Sequence, residues 1–313
     1  MNKIITIPHY LDIVDVLGVK DANLVAIKKY LNKTKISISD NNDIMLYGPQ
    51  EEVELVINVF NRIFELLAAK EEIVSDDVDL LMRQSLSGAL VPSIDDTIIL
   101  EYGKKVVRAK TLHQKEYAQS IRDNVITFGI GMAGTSKTFT AAVVALQLLK
   151  EKKIKHIVIT RPPIAMDGMS IGYLPGSADE KTSPWLAPIL QIFLRFMSEE
   201  ALQEMIAKGQ IQIIPLGFLR GYSIRDSVII CDESQNVTVS ALKCILTRID
   251  MNTKVVICGD SEQSDLKGNS GLEIVSSILK GLDGVKTIRF DENDIVRSGI
   301  VTEVIKRFYT SGY

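Results

Sequence analysis

The residues with the clearest chemical potential are residues 131–138, Gly-Met-Ala-Gly-Thr-Ser-Lys-Thr. A strand-like run, 125–130, precedes them, and an apolar helical stretch follows as far as Lys150. Strand, tight loop and helix form the setting in which such a segment cradles phosphate. Successive backbone N–H groups of Gly131, Met132, Ala133, Gly134, Thr135 and Ser136 would form a concave nest for phosphate oxygens. The helix N-terminus adds partial positive charge. Lys137 would reach the terminal phosphates, and Thr138 would place its hydroxyl on Mg²⁺. The ligand this chemistry predicts is a nucleoside triphosphate, ATP first. One residue departs from the pattern, because Ser136 stands where glycine is usual. If that position needs a positive φ, serine costs about 1 kcal/mol or more.

Three further places carry chemistry that a phosphate loop requires. The apolar run 227–231 ends in Asp232-Glu233. A carboxylate at the end of a buried strand can hold Mg²⁺, and a second can polarise the attacking water. Asp232 is assigned to the metal and Glu233 to the water. An apolar run closed by two acids is also an ordinary solvated turn, but its position about a hundred residues after a phosphate loop favours the catalytic reading. The run 254–258 ends in Gly259-Asp260, with Gln263 and Asp265 close behind. Gln263 is expected to contact the γ-phosphate or its water; a simple Gly-Asp-Ser turn is the alternative. Upstream, Gln114 near the start of a helix can pair with the adenine edge, since its amide offers a donor and an acceptor. An exposed helical glutamine fits the same spacing.

These residues need a scaffold, and the hydrophobic pattern supplies one. From about residue 110, apolar runs at 125–128, 157–160, 211–214, 228–231, 255–258 and 287–290 are separated, several of them by long helical stretches. That alternation predicts an α/β domain over 110–313, a mostly parallel sheet with helices on both faces. Residues 1–72 read as a separate small α+β domain. It has a helix over 21–31 with Asp21 as its N-cap, strands at 35–39 and 44–47, and an amphipathic helix over 51–67. Residues 73–109 read as a connector, with a helix start near Ser75 and a strand pair turning at Gly103. Residues 163–198 are rich in Pro and Gly and hold Trp185, the sole tryptophan. Loops of that length tend to be functional. Trp185 could stack a base or pack against the helix that follows.

Composition sets outer bounds. The chain has 313 residues, 46% hydrophobic and 24% charged, with a net charge of −3. This is globular composition with no dominant basic surface. No apolar run approaches the roughly 18 residues of a membrane span, and no signal-peptide core is present, so a cytoplasmic location is expected. Cys231, Cys244 and Cys258 have neither metal-ligand nor disulfide spacing and read as reduced thiols.

Taken together the motifs resemble the PhoH family of ATPases, which is related to superfamily 1 helicase motors. The resemblance covers about 110–310. It is carried by the phosphate loop, Ile159-Thr160-Arg161-Pro162, the Gly-Tyr-Leu-Pro-Gly run at 172–176, and Asp232-Glu233-Ser234-Gln235-Asn236. Leu246-Thr247-Arg248-Ile249, Gly259-Asp260 with Gln263, Asp265 and Leu266, and Asp294-Ile295-Val296-Arg297 complete it. Ser136 and Ser234 depart from the usual glycine and alanine. The resemblance implies a P-loop NTPase domain of RecA-like type, ATP and Mg²⁺ as ligands, and RNA or single-stranded nucleic acid as a coupled partner. It also implies an N-terminal KH-like domain, although no Gly-x-x-Gly loop of the RNA-gripping kind occurs in residues 1–100. Arg161 and Arg297 become candidates to stabilise charge on the transferring phosphoryl group, Arg297 across a subunit boundary, with Arg248 a third. A surface salt bridge is the bland reading of each. A single nucleotide-binding core needs a neighbour to complete its wall, so a homo-oligomer such as a ring is expected. Two readings stay open: an ATP-hydrolysing enzyme, or a nucleotide-dependent binding or assembly module that hydrolyses weakly because of Ser136. Whether an enzyme would unwind nucleic acid is left open. A ribonuclease has no support, since no separate acidic cluster or His pair suggests a nuclease site.

Overall fold

The computed structural model describes residues 1–39, 41–88, 97–162, 187–219, 223–263 and 270–311. The chain forms two compact units, one of residues 1–94 with 296–304, the other of residues 95–295 with 305–313.

In the first unit, β1 (Asn2–Ile5), α1 (Ile13–Leu17), α2 (Ala22–Lys28), β2 (Lys35–Ile38), β3 (Ile44–Tyr47) and α3 (Gln50–Ala68) follow one another. The strands make an antiparallel sheet in the order β1-β3-β2. The helix α3 buries Val53, Val56, Phe60, Ile63 and Phe64, a stripe at helical spacing, in a core with Val16, Ile27, Ile44 and Leu46. The β2, β3 and α3 elements stand where the sequence pattern puts them. Strand β1 and helix α1 are additions, each too short to stand out in the pattern. Asp21 does not cap α2 through its side chain: its own backbone is left-handed, at φ 59°. The cap that forms nearby is Asp12, which accepts the Val14 N–H at the start of α1.

Residues 73–109, read from the sequence as a connector, are divided between the units. Helix α4 (Ser75–Ser87) puts Val78, Leu81 and Met82 into the core beside α3. Strands β4 (Ile98–Tyr102) and β5 (Lys105–Arg108) form a hairpin of the second unit, turning at Gly103 with φ 61°. Helix α4 begins at Ser75, where the sequence reading put a helix start within the connector. The acids of its first turn suit a helix N-terminus.

The second unit holds α5 (Leu112–Asp123), β6 (Ile126–Gly131), α6 (Lys137–Lys150), β7 (His156–Thr160), a helix over residues 187–194 (α7), α8 (Glu199–Ala207) and β8 (Ile211–Ile213). After these come β9 (Ser227–Cys231), α9 (Val239–Leu246), β10 (Thr253–Gly259), α10 (Gly271–Ile278) and β11 (Val285–Phe290). The last helix, α11 (Gly299–Ser311), contributes to both units. The six strands pair in parallel throughout, in the order β11-β6-β10-β9-β7-β8. Their side chains alternate between two cores. Val228, Ile230, Val256 and Cys258 face Tyr117 and the apolar side of α6. Ile229, Cys231, Val255 and Ile257 face Leu242, Ile245 and Leu272. Burial on both faces is why these strands read as unbroken apolar runs. It also covers two of the thiols, and burial pushes Cys231 up to about 12. Parallel pairing brings the C-terminal ends of β6, β7, β9, β10 and β11 to one edge, where ligands of open α/β sheets bind.

Candidate functional site

The loop after β6 is shaped by its small residues. Gly131 has φ 149°, and a Cβ there would collide with the Phe290 carbonyl oxygen of β11. Gly134 has φ 80°. Ser136 adopts φ 65° and ψ 26°, the left-handed conformation expected to strain a serine, and stands directly before α6. The helix opens on Lys137, which is buried. Its Nζ donates to the carbonyl oxygens of Gly131 at 2.5 Å and Met132 at 2.7 Å, and to Thr135 Oγ1 at 3.2 Å. Burial pulls the Lys137 ammonium below its ordinary pKa, against the attraction of Asp260, Asp232 and Glu233.

Two elements brace the loop. Thr111 caps α5 by accepting the Gln114 N–H at 3.2 Å. Gln114 is buried behind the loop, its Nε2 donating to the Thr135 carbonyl at 3.3 Å and its Oε1 accepting the Lys110 N–H at 2.8 Å. Both ends of the amide hold backbone, which neither sequence reading of Gln114 foresaw. Across the sheet, Asp260 Oδ2 accepts the Ala133 N–H at 3.0 Å.

The acidic pair lies opposite the helix start. Thr138 Oγ1 donates to Asp232 Oδ1 at 2.5 Å. Burial pushes the Asp232 carboxyl above the usual carboxylate range, Thr138 and Arg161 opposing it and Glu233 adding to it. Glu233 has φ 51°, so the backbone turns sharply off β9. Its Oε1 takes Arg161 at 2.7 Å, and its Oε2 takes the Gln235 side-chain amide at 2.7 Å. The Arg161 Nε lies 3.9 Å from Asp232 Oδ2. Hard carboxylate and hydroxyl oxygens side by side at Asp232 and Thr138 fit a magnesium ion's preference for oxygen. A buried carboxylate that burial pushes toward its protonated form is one that a cation would stabilise.

The sequence matches the profile of the PhoH-like protein family over residues 106–309. The chain belongs to that family. A PhoH-like protein of Bacillus subtilis (strain 168) is 34% identical over 296 residues, covering 93% of this chain and 92% of its own. A PhoH-like protein of Mycobacterium tuberculosis (strain ATCC 25618 / H37Rv) is 34% identical over 303 residues, covering 95% and 84%. The crystal structure of Pif1 helicase from Candida albicans overlays with a TM-score of 0.32 and 17% identity, covering 57% of this chain and 40% of that one, a likeness too slight to bear on the site. The parallel sheet, the loop and the family together make the second unit a P-loop NTPase fold. Among the described residues no helix is long and apolar enough to cross a membrane.

Of the candidates read from the sequence of this PhoH-like chain, residues 131–138, Gln114, Arg161, Asp232 and Glu233 come together at one sheet edge. Gln263 is exposed, and its backbone N–H bonds the Asp260 carbonyl at 3.1 Å. Arg297 falls in the other unit, its carbonyl accepting the Thr302 hydroxyl at 3.1 Å. Arg248 follows α9, its carbonyl accepting the Ile224 N–H. Asp265, Leu266, Trp185 and the 172–176 run lie outside the described residues. Three features escaped the sequence. Gln235 links Glu233 to the Asp260 backbone N–H, which its Oε1 accepts at 3.1 Å. Asp260 touches the loop itself. His113 Nδ1 lies 2.7 Å from Asp294 Oδ2 on the helix that carries Gln114. Asp260 and Gln235 stand within sequence motifs, but their contacts depend on strand order, which the motifs do not encode.

Proposed function

We propose that this chain is a Mg²⁺-dependent ATPase. The observation that carries the reading is the contact of Thr138 with Asp232 beneath a loop whose lysine is already gathered onto the nest. Thr138 and Asp232 would hold the Mg²⁺, which when bound supplies positive charge to the phosphate oxygens. The backbone N–H groups of residues 131–136 and the N-terminus of α6 bind the phosphate chain. Lys137 exchanges its loop carbonyls for the terminal phosphates. Glu233 accepts the proton of the attacking water once Arg161 has turned from it toward the phosphoryl oxygens, so one ion pair holds both groups in reserve. Gln114 keeps the Thr135 carbonyl turned from the nest, and contact with the adenine edge remains its proposed second role. Gln263 and Arg297 remain proposed contributors that other conformations or a second subunit would bring to the site.

Phosphate release from Mg²⁺-ATP tests this. The natural chain should release phosphate, and Glu233→Gln should lose a factor on the order of a hundred or more. The second reading, a nucleotide-dependent binding or assembly module, is favoured by the left-handed Ser136. Silence from the natural chain together with release from Ser136→Gly would establish it. A cytoplasmic homo-oligomer, a ring among its forms, acting with RNA or single-stranded nucleic acid is the wider proposal, supported by family membership and the single nucleotide core. Turnover should rise with single-stranded RNA. A fully active monomer in light scattering would overturn the oligomer.

A further inference from the structure

The loop is not empty of anions. Asp260 directly follows β10, the strand next to β6, and is buried, 4% exposed. Its Oδ2 accepts the Ala133 N–H at 3.0 Å and its Oδ1 the Glu262 N–H at 3.2 Å. The Lys137 ammonium sits on the carbonyls of Gly131 and Met132, the two residues before Ala133. In a loop of this kind the lysine serves the terminal phosphates. The Ala133 N–H is therefore at the γ-phosphate end of the nest. Ala133 is half-buried, and in the absence of a γ-phosphate its N–H is taken by Asp260. A carboxylate oxygen that takes it, electrostatically attracted to the same ammonium, stands where a phosphate oxygen would.

We propose that Asp260 is an internal stand-in for the γ-phosphate, which a nucleoside triphosphate displaces and a diphosphate does not. Two anions crowded onto one donor repel, so the carboxylate must leave for the triphosphate to seat. Its departure is transmitted. The Asp260 backbone N–H is bonded to Gln235 Oε1 at 3.1 Å, and Gln235 Nε2 is bonded to Glu233 Oε2 at 2.7 Å. Movement at Asp260 thus loosens a bond that holds Glu233, the group assigned to the attacking water. Arrival of the γ-phosphate and release of the base become one event. The proposal rests on the reading of this loop as a nucleotide site.

Fluorescent ATP and ADP analogues titrated onto the natural chain, Asp260→Asn and Asp260→Ala separate the possibilities. Asparagine keeps an acceptor for the Ala133 N–H and removes the charge. The expected result is ATP binding tightened about tenfold or more in Asp260→Asn, with ADP changed less than about threefold. An unchanged ratio of ATP to ADP affinity, or an equal loss for both nucleotides, would make Asp260 a fixed strut and overturn the proposal. Failure of the natural chain to bind either nucleotide would sink the nucleotide reading and this proposal with it. Binding of both with no selective effect would sink this proposal alone. Should the variants not fold, the Ala133 amide resonance of the natural chain decides. ADP should leave it in place and a non-hydrolysable ATP analogue should move it; equal shifts with both would refute displacement.

Discussion

Each unit of the chain buries carboxylates and cations, and does so in opposite ways. In the N-terminal unit Asp79 accepts the Tyr30 hydroxyl at 2.6 Å and the Arg83 guanidinium, one helical turn away, at 3.1 Å. Donors surround the carboxylate, and no residue of that triad has a positive φ. The Tyr30 hydroxyl is held protonated by burial and by Asp79, which fits its part as a donor. At the edge of the parallel sheet, burial drives Asp232 and Asp260 up and Lys137 down, and the turns beside them, Ser136 and Glu233, are left-handed. In the first cluster both carboxylate oxygens have their own donors. The second holds charges that burial disfavours on a backbone under strain, an arrangement that a ligand of both signs would relieve.

That contrast predicts which substitutions cost function and which cost stability. The largest effect should come from Lys137→Ala, which removes the cation of the nest. ATP turnover should fall by at least about a hundredfold, while the urea midpoint should correspond to a stability within about 1 kcal/mol of the natural chain. Loss of the fold along with the activity would erase the distinction between the two clusters. Asp79→Ala should do the reverse. Leaving Arg83 and Tyr30 without their acceptor should cost roughly 3 kcal/mol in urea unfolding, with the nucleotide affinity of the remaining folded protein unchanged.

Ser136→Gly is the sharper probe of strain. Glycine takes the left-handed conformation freely, so the variant should gain about 1 kcal/mol in urea unfolding less the entropy glycine adds to the unfolded chain. Turnover should rise if serine's Cβ restricts the approach of phosphate, and the rise should exceed any change in ADP affinity. A destabilised variant would mean that the Ser136 side chain makes a contact worth more than its strain.

Much of this site was legible because the chain marks it locally. A loop that nests phosphate needs glycines, a lysine and a hydroxyl in sequence, and strands buried on both faces show as apolar runs. What could not be read depends on which strands become neighbours. The Asp260–Ala133 bond spans 127 residues and exists because β10 lies beside β6, an order that spacing does not encode. Gln114 was recognisable as a residue near the loop, but the bonds that occupy both ends of its amide follow from the depth of α5. The same limit explains Gly129. It reads as an ordinary strand glycine, yet a Cβ there would come within 2.6 Å of the Tyr117 ring. In the N-terminal unit, the start of α4 near Ser75 was legible, but its packing into the core beside α3 was not, because an acidic first turn looks alike in a packed helix and in a linker.

The smallest expected effect lies between these extremes, at His113. Burial pulls its pKa down, but the bond to Asp294 and the charges of Asp294, Asp291 and Glu116 outweigh this and leave it raised. The Phe290 ring meets it edge-on at 6.4 Å, adding no charge. A histidine whose folded pKa is raised contributes stability fully below its unfolded value, about 6.5, and loses that contribution as pH rises through the folded value. The contribution is modest, since the imidazole is partly exposed and solvent screens it. Melting temperatures from pH 5 to 9 should therefore show the natural chain losing a small advantage over Asp294→Asn on the alkaline side. His113 precedes Gln114, the residue that holds Thr135, so the same pH step should weaken nucleotide binding slightly. Parallel melting profiles for the two proteins would refute that contribution, and a nucleotide affinity that ignores the titration would place His113 with Asp79 among the groups that only hold the fold. A nucleotide affinity that follows the titration would place it with the loop.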